Sequence, residues 1–489
     1  MAKSVKFRIT NLSFMKKIFF LIVLFFAITF VAKAAGVDTV RYGNFGKLVI
    51  YKPAKPPDAM VLFVSGDSGW NNGIGNIANQ IVAQGALVAG INIRYYLKSL
   101  KKQHGTCYYP ASDFELLSLF LQKKYKFHNY MKPILLGYSS GATLVYGILA
   151  QAPANTFKGA VSLGFCPDLA TNKPLCPGNG LKVHSLQTGI SWYLEASDNL
   201  TAPFIVLLGM NDKVCPYKHT EAFMKKVRDG ELILLPKVAH GMSLRKNYLP
   251  YLLYAYNKVK KALSYPEMIA AKNKLFKQQL PVKLESNLPL NEFPVRKNDT
   301  KPMVFFISGD GGWTSFDEGV AEELTEKGVP VIGLDAQKYF WQPRTPVETA
   351  VEITKVLHHY LDAWKKNSFI LCGYSFGADI IPFIISRLPA DLKPMLQHAV
   401  MMSPDPSADF EIHVTDMLSL GSNNDNYDVL AELKKISKKN VTCIFGEEED
   451  SDDRALFKTA GAGVLLLPGA HHYDNNFSAI ADEIIKNLH

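Results

Sequence analysis

Along the chain, short blocks of consecutive apolar residues alternate with longer stretches whose apolar positions recur every three or four. In the second half the short blocks lie at 303–307, 330–334, 368–373, 398–402, 441–445 and 463–467. Runs of that length, apolar on both sides, predict strands buried on two faces. The stretches 347–365 and 474–488 carry the spacing of one helical face. Strands alternating with helices predict an α/β class, a mostly parallel sheet with helices on both faces. Segments 167–200 and 404–437 show no clear period and fall where a cap or lid inserts.

The pattern is written twice. "VLFVSGDSGW" (61–70) answers "VFFISGDGGW" (304–313), and "LVAGIN" (87–92) answers "PVIGLD" (330–335). "GYSSGA" (137–142) answers "GYSFGA" (373–378), "LLGMND" (207–212) answers "IFGEEED" (444–450), and "LLPKVAH" (234–240) answers "LLLPGAHH" (465–472). Five blocks in one order at a nearly constant offset indicate a duplicated domain. The expected division is a leader at 1–34, a first repeat at 35–265, a linker at 266–280 and a second repeat at 281–489.

Composition changes this picture at the N-terminus. Lys16-Lys17, an apolar run from Ile18 to Val31 and the small-x-small triplet Ala32-Lys33-Ala34 predict a cleaved secretory signal and a periplasmic product. The run is short for a membrane span. The net charge of +10 includes six basic residues in 1–34 with no acid, so only +4 remains beyond it. No dense basic block is left to follow phosphates, and nucleic acid is not an expected partner. Of six cysteines, Cys166 and Cys176 flank a Pro-containing loop and are expected to bridge; Cys372 and Cys443 sit in strand-like runs as buried thiols. No cysteine pair has zinc spacing, and no metal or cofactor is expected.

The repeated Gly-x-Ser-x-Gly carries the chemistry. Both copies follow an apolar run and open an amphipathic one, the layout of a strained strand-to-helix turn that lifts a Ser hydroxyl into the open. Gly137 and Gly141 surround Ser139, as Gly373 and Gly377 surround Ser375. A Ser hydroxyl needs a base, and the base an orienting acid, in the chain order Ser, acid, His of α/β-hydrolases. That order selects Ser139, Asp212 and His240 in the first repeat and Ser375, Asp450 and His472 in the second. His472 is chosen over His471 because it keeps the four-residue distance from the preceding Pro; Glu449 is the ungapped match to Asp212, so the acid is Asp450 or Glu449. Backbone N–H groups of Phe376, Asp310, Gly311 and Gly312 are the expected oxyanion donors.

At these residues a resemblance is evident. "SGDGGW", "YFWQPRTP", "GYSFGADIIPF", "FEIHV" and "LPGAHHYD" resemble the bacterial virulence-associated VirJ/AcvB proteins, and the leader with two related halves resembles the AcvB-like arrangement. The resemblance implies a periplasmic hydrolase that removes the aminoacyl group of lysyl-phosphatidylglycerol, an aminoacylated phospholipid met at the membrane surface, with partners in type IV secretion or the envelope. It also leads one to expect a Cys shortly after the acid, as Cys215 follows Asp212; the second repeat has Asp453 there.

Within "EEEDSDD" (447–453), Glu447, Glu448 and Asp452 are candidate contacts for a cationic substrate, the alternative being a solvated loop. Arg344 is a candidate phosphate contact or a structural ion pair. "IRYYLKSLKK" replaces "YFWQPRTP" in the first repeat, a basic stretch in place of a Trp- and Pro-shaped wall, so the second repeat is expected to do the hydrolysis. Other esterases or peptidases, and a non-catalytic scaffold, are the competing readings.

Overall fold

In the computed structural model, residues 36–263, 288–295, 301–412, 427–436 and 441–486 are described. The expected leader (1–34), the linker (266–280) and the boundaries drawn at 265 and 281 lie outside them.

The first repeat builds one eight-stranded sheet. Its strands are β1 (Gly36–Tyr42), β2 (Gly46–Lys52), β3 (Ala59–Val64), β4 (Ala86–Ile91), β5 (Ile134–Tyr138), β6 (Gly159–Leu163), β10 (Phe204–Gly209) and β11 (Gly230–Leu235). They lie in the order β1-β2-β4-β3-β5-β6-β10-β11, and every pairing beyond β4 is parallel. The aperiodic segment 167–200 supplies β7 (Asp168–Leu169), β8 (Val183–Gln187) and β9 (Ser191–Leu194), a separate antiparallel sheet.

The second repeat lays β12 (Leu290–Phe293), β13 (Met303–Ile307), β14 (Val331–Leu334), β15 (Phe369–Tyr374), β16 (Leu396–Met402), β19 (Val441–Gly446) and β20 (Gly463–Leu467) in the order β12-β14-β13-β15-β16-β19-β20. Only β12 runs antiparallel. Between β16 and β19, β17 (Ser407–Ala408) pairs with β18 (Tyr427–Asp428). The six expected strands of this half all appear, within two residues at each end. The helical stretches appear as Pro346–Ala363 and Phe477–Ile485. Both units are mostly parallel sheets with helices on each face, the expected α/β class built twice in tandem.

Alternation along each strand feeds two cores. Leu62 and Val64 of β3 pack with Phe114, Leu117 and Tyr146, whereas Val61 and Phe63 pack with Ile77, Ile81 and Leu252 on the opposite face. In β13, Phe305 and Ile307 join Ile353 and Leu357, while Val304 and Phe306 join Val320 and Ile484. Burial on both faces is why these strands read as unbroken apolar runs.

"YFWQPRTP" joins the two domains. Trp341, buried, donates from Nε1 to the Phe127 carbonyl at 3.1 Å and packs against Tyr130. Lys123 lies over its indole, donates to its carbonyl at 2.7 Å and pairs with Glu411 at 2.8 Å. Gln342 donates to the His128 carbonyl, and Asn155 to that of Trp313. The expected substrate wall is therefore a plug between domains.

Two disulfides form, Cys107–Cys176 and Cys166–Cys215. The expected Cys166–Cys176 bridge is not made, because Cys176 is held beside the 107–109 segment by backbone bonds between Tyr108 and Pro174 and between Cys176 and Tyr108. Cys372 and Cys443 are buried thiols.

Candidate active sites

Each Ser sits where a central strand meets a helix. β5 ends at Tyr138 and the helix Ser140–Gln151 follows; β15 ends at Tyr374 and the helix Phe376–Arg387 follows. Between them Ser139 has φ 55° and ψ −124°, and Ser375 φ 50° and ψ −125°. A side chain rarely adopts that backbone, and surrounding structure must hold it. The glycines make the turn tight: a Cβ on Gly137 would collide with the Gly141 carbonyl, and one on Gly377 with the carbonyls of Ile307 and Ser308. Both helices aim their N-termini at the Ser, favouring negative charge there.

In the first domain the three expected residues meet. Ser139 Oγ lies 2.9 Å from His240 Nε2, and His240 Nδ1 lies 2.8 Å from Asp212 Oδ2. With Nδ1 donating to the carboxylate, Nε2 is free to accept the Ser proton. The Asp212 side chain is fully buried, and its other oxygen accepts the Val214 and Cys215 N–H groups at 2.9 and 2.8 Å. Cys215 is in turn bridged to Cys166 just beyond β6, so the disulfide braces the loop that holds the acid. Cys215 also approaches Asp212 and His240 as a metal ligand would. Its sulfur is already bonded to Cys166, and no metal role follows.

In the second domain the open choice of acid falls to Glu449 over Asp450, and the histidine departs from expectation: His471, not His472, faces the acid, with Nδ1 2.7 Å from Glu449 Oε1. The turn after β20 is one residue shorter than that after β11, so equal spacing from Pro overshoots. Tyr138 donates to the His240 carbonyl and Tyr374 to that of His471, which fixes the equivalence. His472 instead packs its ring on Phe316 and Tyr374, where burial, then neighbouring His471, holds it below its usual value. Asp450 is exposed and caps the helix Ser451–Ala460 through the Asp452 N–H.

Glu449 is one methylene longer than Asp212, and its second oxygen is taken by Ser403 Oγ at 2.9 Å and the Gly446 N–H. Ser403 stands where the first domain has Gly164, whose added Cβ would meet the His240 ring. Burial would raise the Glu449 carboxyl, but hydrogen bonds from His471, Gly446 and Ser403 outweigh it and hold it below the ordinary carboxylate range. Ser375 and His471 line one cavity of about 370 Å³. Among the described residues Ser375 Oγ makes no hydrogen bond, and the His471 side chain is 45% exposed against 19% for His240.

The expected oxyanion donors divide. Gly311 N–H is spent on the Asp310 carboxylate and Gly312 N–H on the Gly309 carbonyl, so neither is available. The Phe376 N–H has no acceptor among the described residues, and the Asp310 N–H turns only to its own carboxylate. The loop does pass over the nucleophile, since a Cβ on Gly309 would stand 3.6 Å from Ser375 Cβ. Arg344 is away from the cavity: it pairs with Glu352 at 2.7 Å and stacks on Tyr339. Glu447, Glu448 and Asp452 are exposed outside the cavity. The carboxylates lining it are Asp379, Asp405, Glu449, Asp450 and Asp453. Sequence reasoning missed Asp379 and Asp405. The Asp of "GYSFGAD", absent from "GYSSGAT", was the available signal.

The model of the bacterial virulence protein VirJ matches residues 58–164 and 301–489, more than half of the chain. The chain belongs to the VirJ family. The match reaches into the first repeat, beyond the second-half blocks quoted above. No match is found among curated proteins. Among solved structures, the VirJ-family chain is similar to Est1E from Butyrivibrio proteoclasticus, at 13% identity over 46% of this chain and 99% of that one, TM-score 0.32. The esterase domain of a Rhodothermus marinus protein aligns at 16% identity over 45% and 97%, TM-score 0.32. A lipase-esterase related protein from Clostridium acetobutylicum aligns at 14% over 42% and 100%, TM-score 0.33. Among the described residues of the VirJ-family chain, no helix is long and apolar enough to cross a membrane.

Proposed function

We propose that this chain is a periplasmic serine hydrolase of carboxylic esters, and that its second domain removes the aminoacyl group of lysyl-phosphatidylglycerol. The observation that carries the chemistry is the hydrogen-bonded series Ser139–His240–Asp212 on a strained elbow that the second domain repeats. In the second domain, Ser375 Oγ attacks the ester carbonyl while His471 takes its proton. The N–H groups of Phe376 and Asp310 receive the oxyanion, and Glu449 holds the imidazolium. His471 then protonates the departing lipid hydroxyl. Water, deprotonated by the same histidine, cleaves the aminoacyl-Ser375 ester to free amino acid. Carboxylates around the cavity support a cationic acyl group. The leader-like N-terminus and two disulfides support an oxidising compartment.

The first domain has its own observation, a joined triad without that acidic lining: Thr143 replaces Asp379 and spends its hydroxyl on the Cys166 carbonyl. This favours a second ester, less cationic, for Ser139. The test incubates the mature chain with lysyl-phosphatidylglycerol vesicles and follows release of lysine by mass spectrometry, alongside fluorophosphonate labelling. Adducts on Ser139 and Ser375 with lysine release are expected; an adduct on neither Ser in folded protein overturns the hydrolase reading.

A further inference from the structure

Asp379 lies one helical turn beyond Ser375, and nothing in the Ser375–His471–Glu449 set uses it. Its side chain belongs to a residue only 7% exposed, yet it lines the 370 Å³ cavity. One carboxylate oxygen accepts the Asp405 N–H at 2.7 Å; among the described residues the other has no hydrogen-bond partner. Asp405 and Asp453 line the same cavity, and among the described residues no Lys or Arg does. The nearby Arg454 is committed to the carbonyls of Glu447, Glu449 and Asp450.

A buried carboxylate without a cation is costly, and one that faces a cavity is placed to take a cationic group from a ligand. Burial, followed by the neighbouring charges of Asp405 and Asp310, pushes the Asp379 carboxyl well above its ordinary range against the single N–H that opposes it. With only carboxylates as charged neighbours, the Asp379 carboxyl favours its protonated form until a cation stands beside it. The first domain answers the same position with Thr143, already satisfied by Cys166.

We propose that Asp379 is the seat of the substrate's side-chain ammonium group, and that it selects lysyl and similar basic aminoacyl esters over neutral ones at Ser375. This rests on the ester-hydrolase reading of the second domain. A primary ammonium has three donors, enough for the free Asp379 oxygen with Asp405 and Asp453 alongside. Ser375 and Asp379 line one cavity about one helical turn apart, roughly 5.4 Å along the axis, a separation that a basic side chain can span. An α-amino group, next to the carbonyl, stays nearer the nucleophile.

The test uses the full mature chain carrying Ser139→Ala, so that only the second site is read. Vesicles of phosphatidylglycerol contain either lysyl- or alanyl-phosphatidylglycerol. Asp379→Asn keeps the acceptor for the Asp405 N–H while removing the charge. The lysyl-to-alanyl ratio of kcat/KM should fall roughly ten- to a hundredfold, the range of one lost charge-assisted hydrogen bond. The loss should appear mainly in KM, and Asp379→Glu should restore part of it. Equal losses on both lipids, or no change in the ratio, overturn the proposal. Adding Ser375→Ala separates the two ideas: if cleavage of both lipids persists, the assignment of hydrolysis to Ser375 fails, whatever Asp379 does.

Discussion

The two domains share an elbow and differ in how the acid and the histidine that serve it are held. In the first, Asp212 is short, fully buried and held by two backbone N–H groups, and His240 reaches Ser139. In the second, Glu449 is longer, shares itself with Ser403, and leaves His471 half open above a cavity. Duplication kept the part that is sterically over-determined, where a Cβ in place of either glycine meets backbone. The acid and histidine loops tolerate changes of one residue because only their tips must meet. An assembled triad and an acid-lined cavity therefore sit in different halves.

The sharpest way to break this comparison is to remove each nucleophile. Ser375→Ala should lower lysyl-phosphatidylglycerol cleavage by about 10⁴- to 10⁶-fold, while Ser139→Ala leaves most of it; the reverse pattern moves lysyl hydrolysis to the first domain. Next come the residues that spacing misassigned. His471→Ala should cost roughly 10³-fold or more and His472→Ala less than tenfold, with Glu449→Gln costing far more than Asp450→Asn. Equal effects within either pair would undo the equivalence of His471 with His240. In stability, Trp341→Ala should cost about 3–5 kcal/mol and split one calorimetric transition into two; a single unshifted transition would mean the plug does not couple the domains.

The smallest effect is in pH. Burial pushes Asp317 and Glu318 up to about 7, and the first domain has Ile74 and Gly75 at the matching positions. A carboxyl raised in the folded state adds stability below its unfolded value near 4.5, and that stability is lost as pH rises through about 7. Melting of the second domain should therefore drop from pH 5 to pH 8, and Glu318→Gln should flatten the slope. A parallel drop in both domains would place the cause elsewhere.

Much of the fold was legible because burial on both faces leaves an unbroken apolar signature, as in "MVFFI" and "FILCGY". The elbows were legible because the glycines have a steric cause visible in six residues. What failed depended on distance through space. Counting from Pro468 could not see that the turn to His471 is one residue short. Cys166 is the near neighbour of Cys176 in sequence, whereas Cys107, 69 residues away, is its neighbour in space. Trp341 and Arg344 looked like site residues because an interdomain plug and a pocket wall use the same side chains.

The placement of sulfur turns a reductant into a reagent for one half of the molecule. Both bridges belong to the first domain, and one of them braces the loop around Asp212. The second domain holds only Cys372 and Cys443, thiols whose burial pushes them far above the ordinary range and out of reach of alkylating probes. Mild dithiothreitol should thus slacken Ser139 chemistry and spare Ser375, while in the unreduced protein maleimide uptake reports opening of the second sheet alone. Protein made in a reducing cytosol and protein matured by export are, in their first halves, two different preparations.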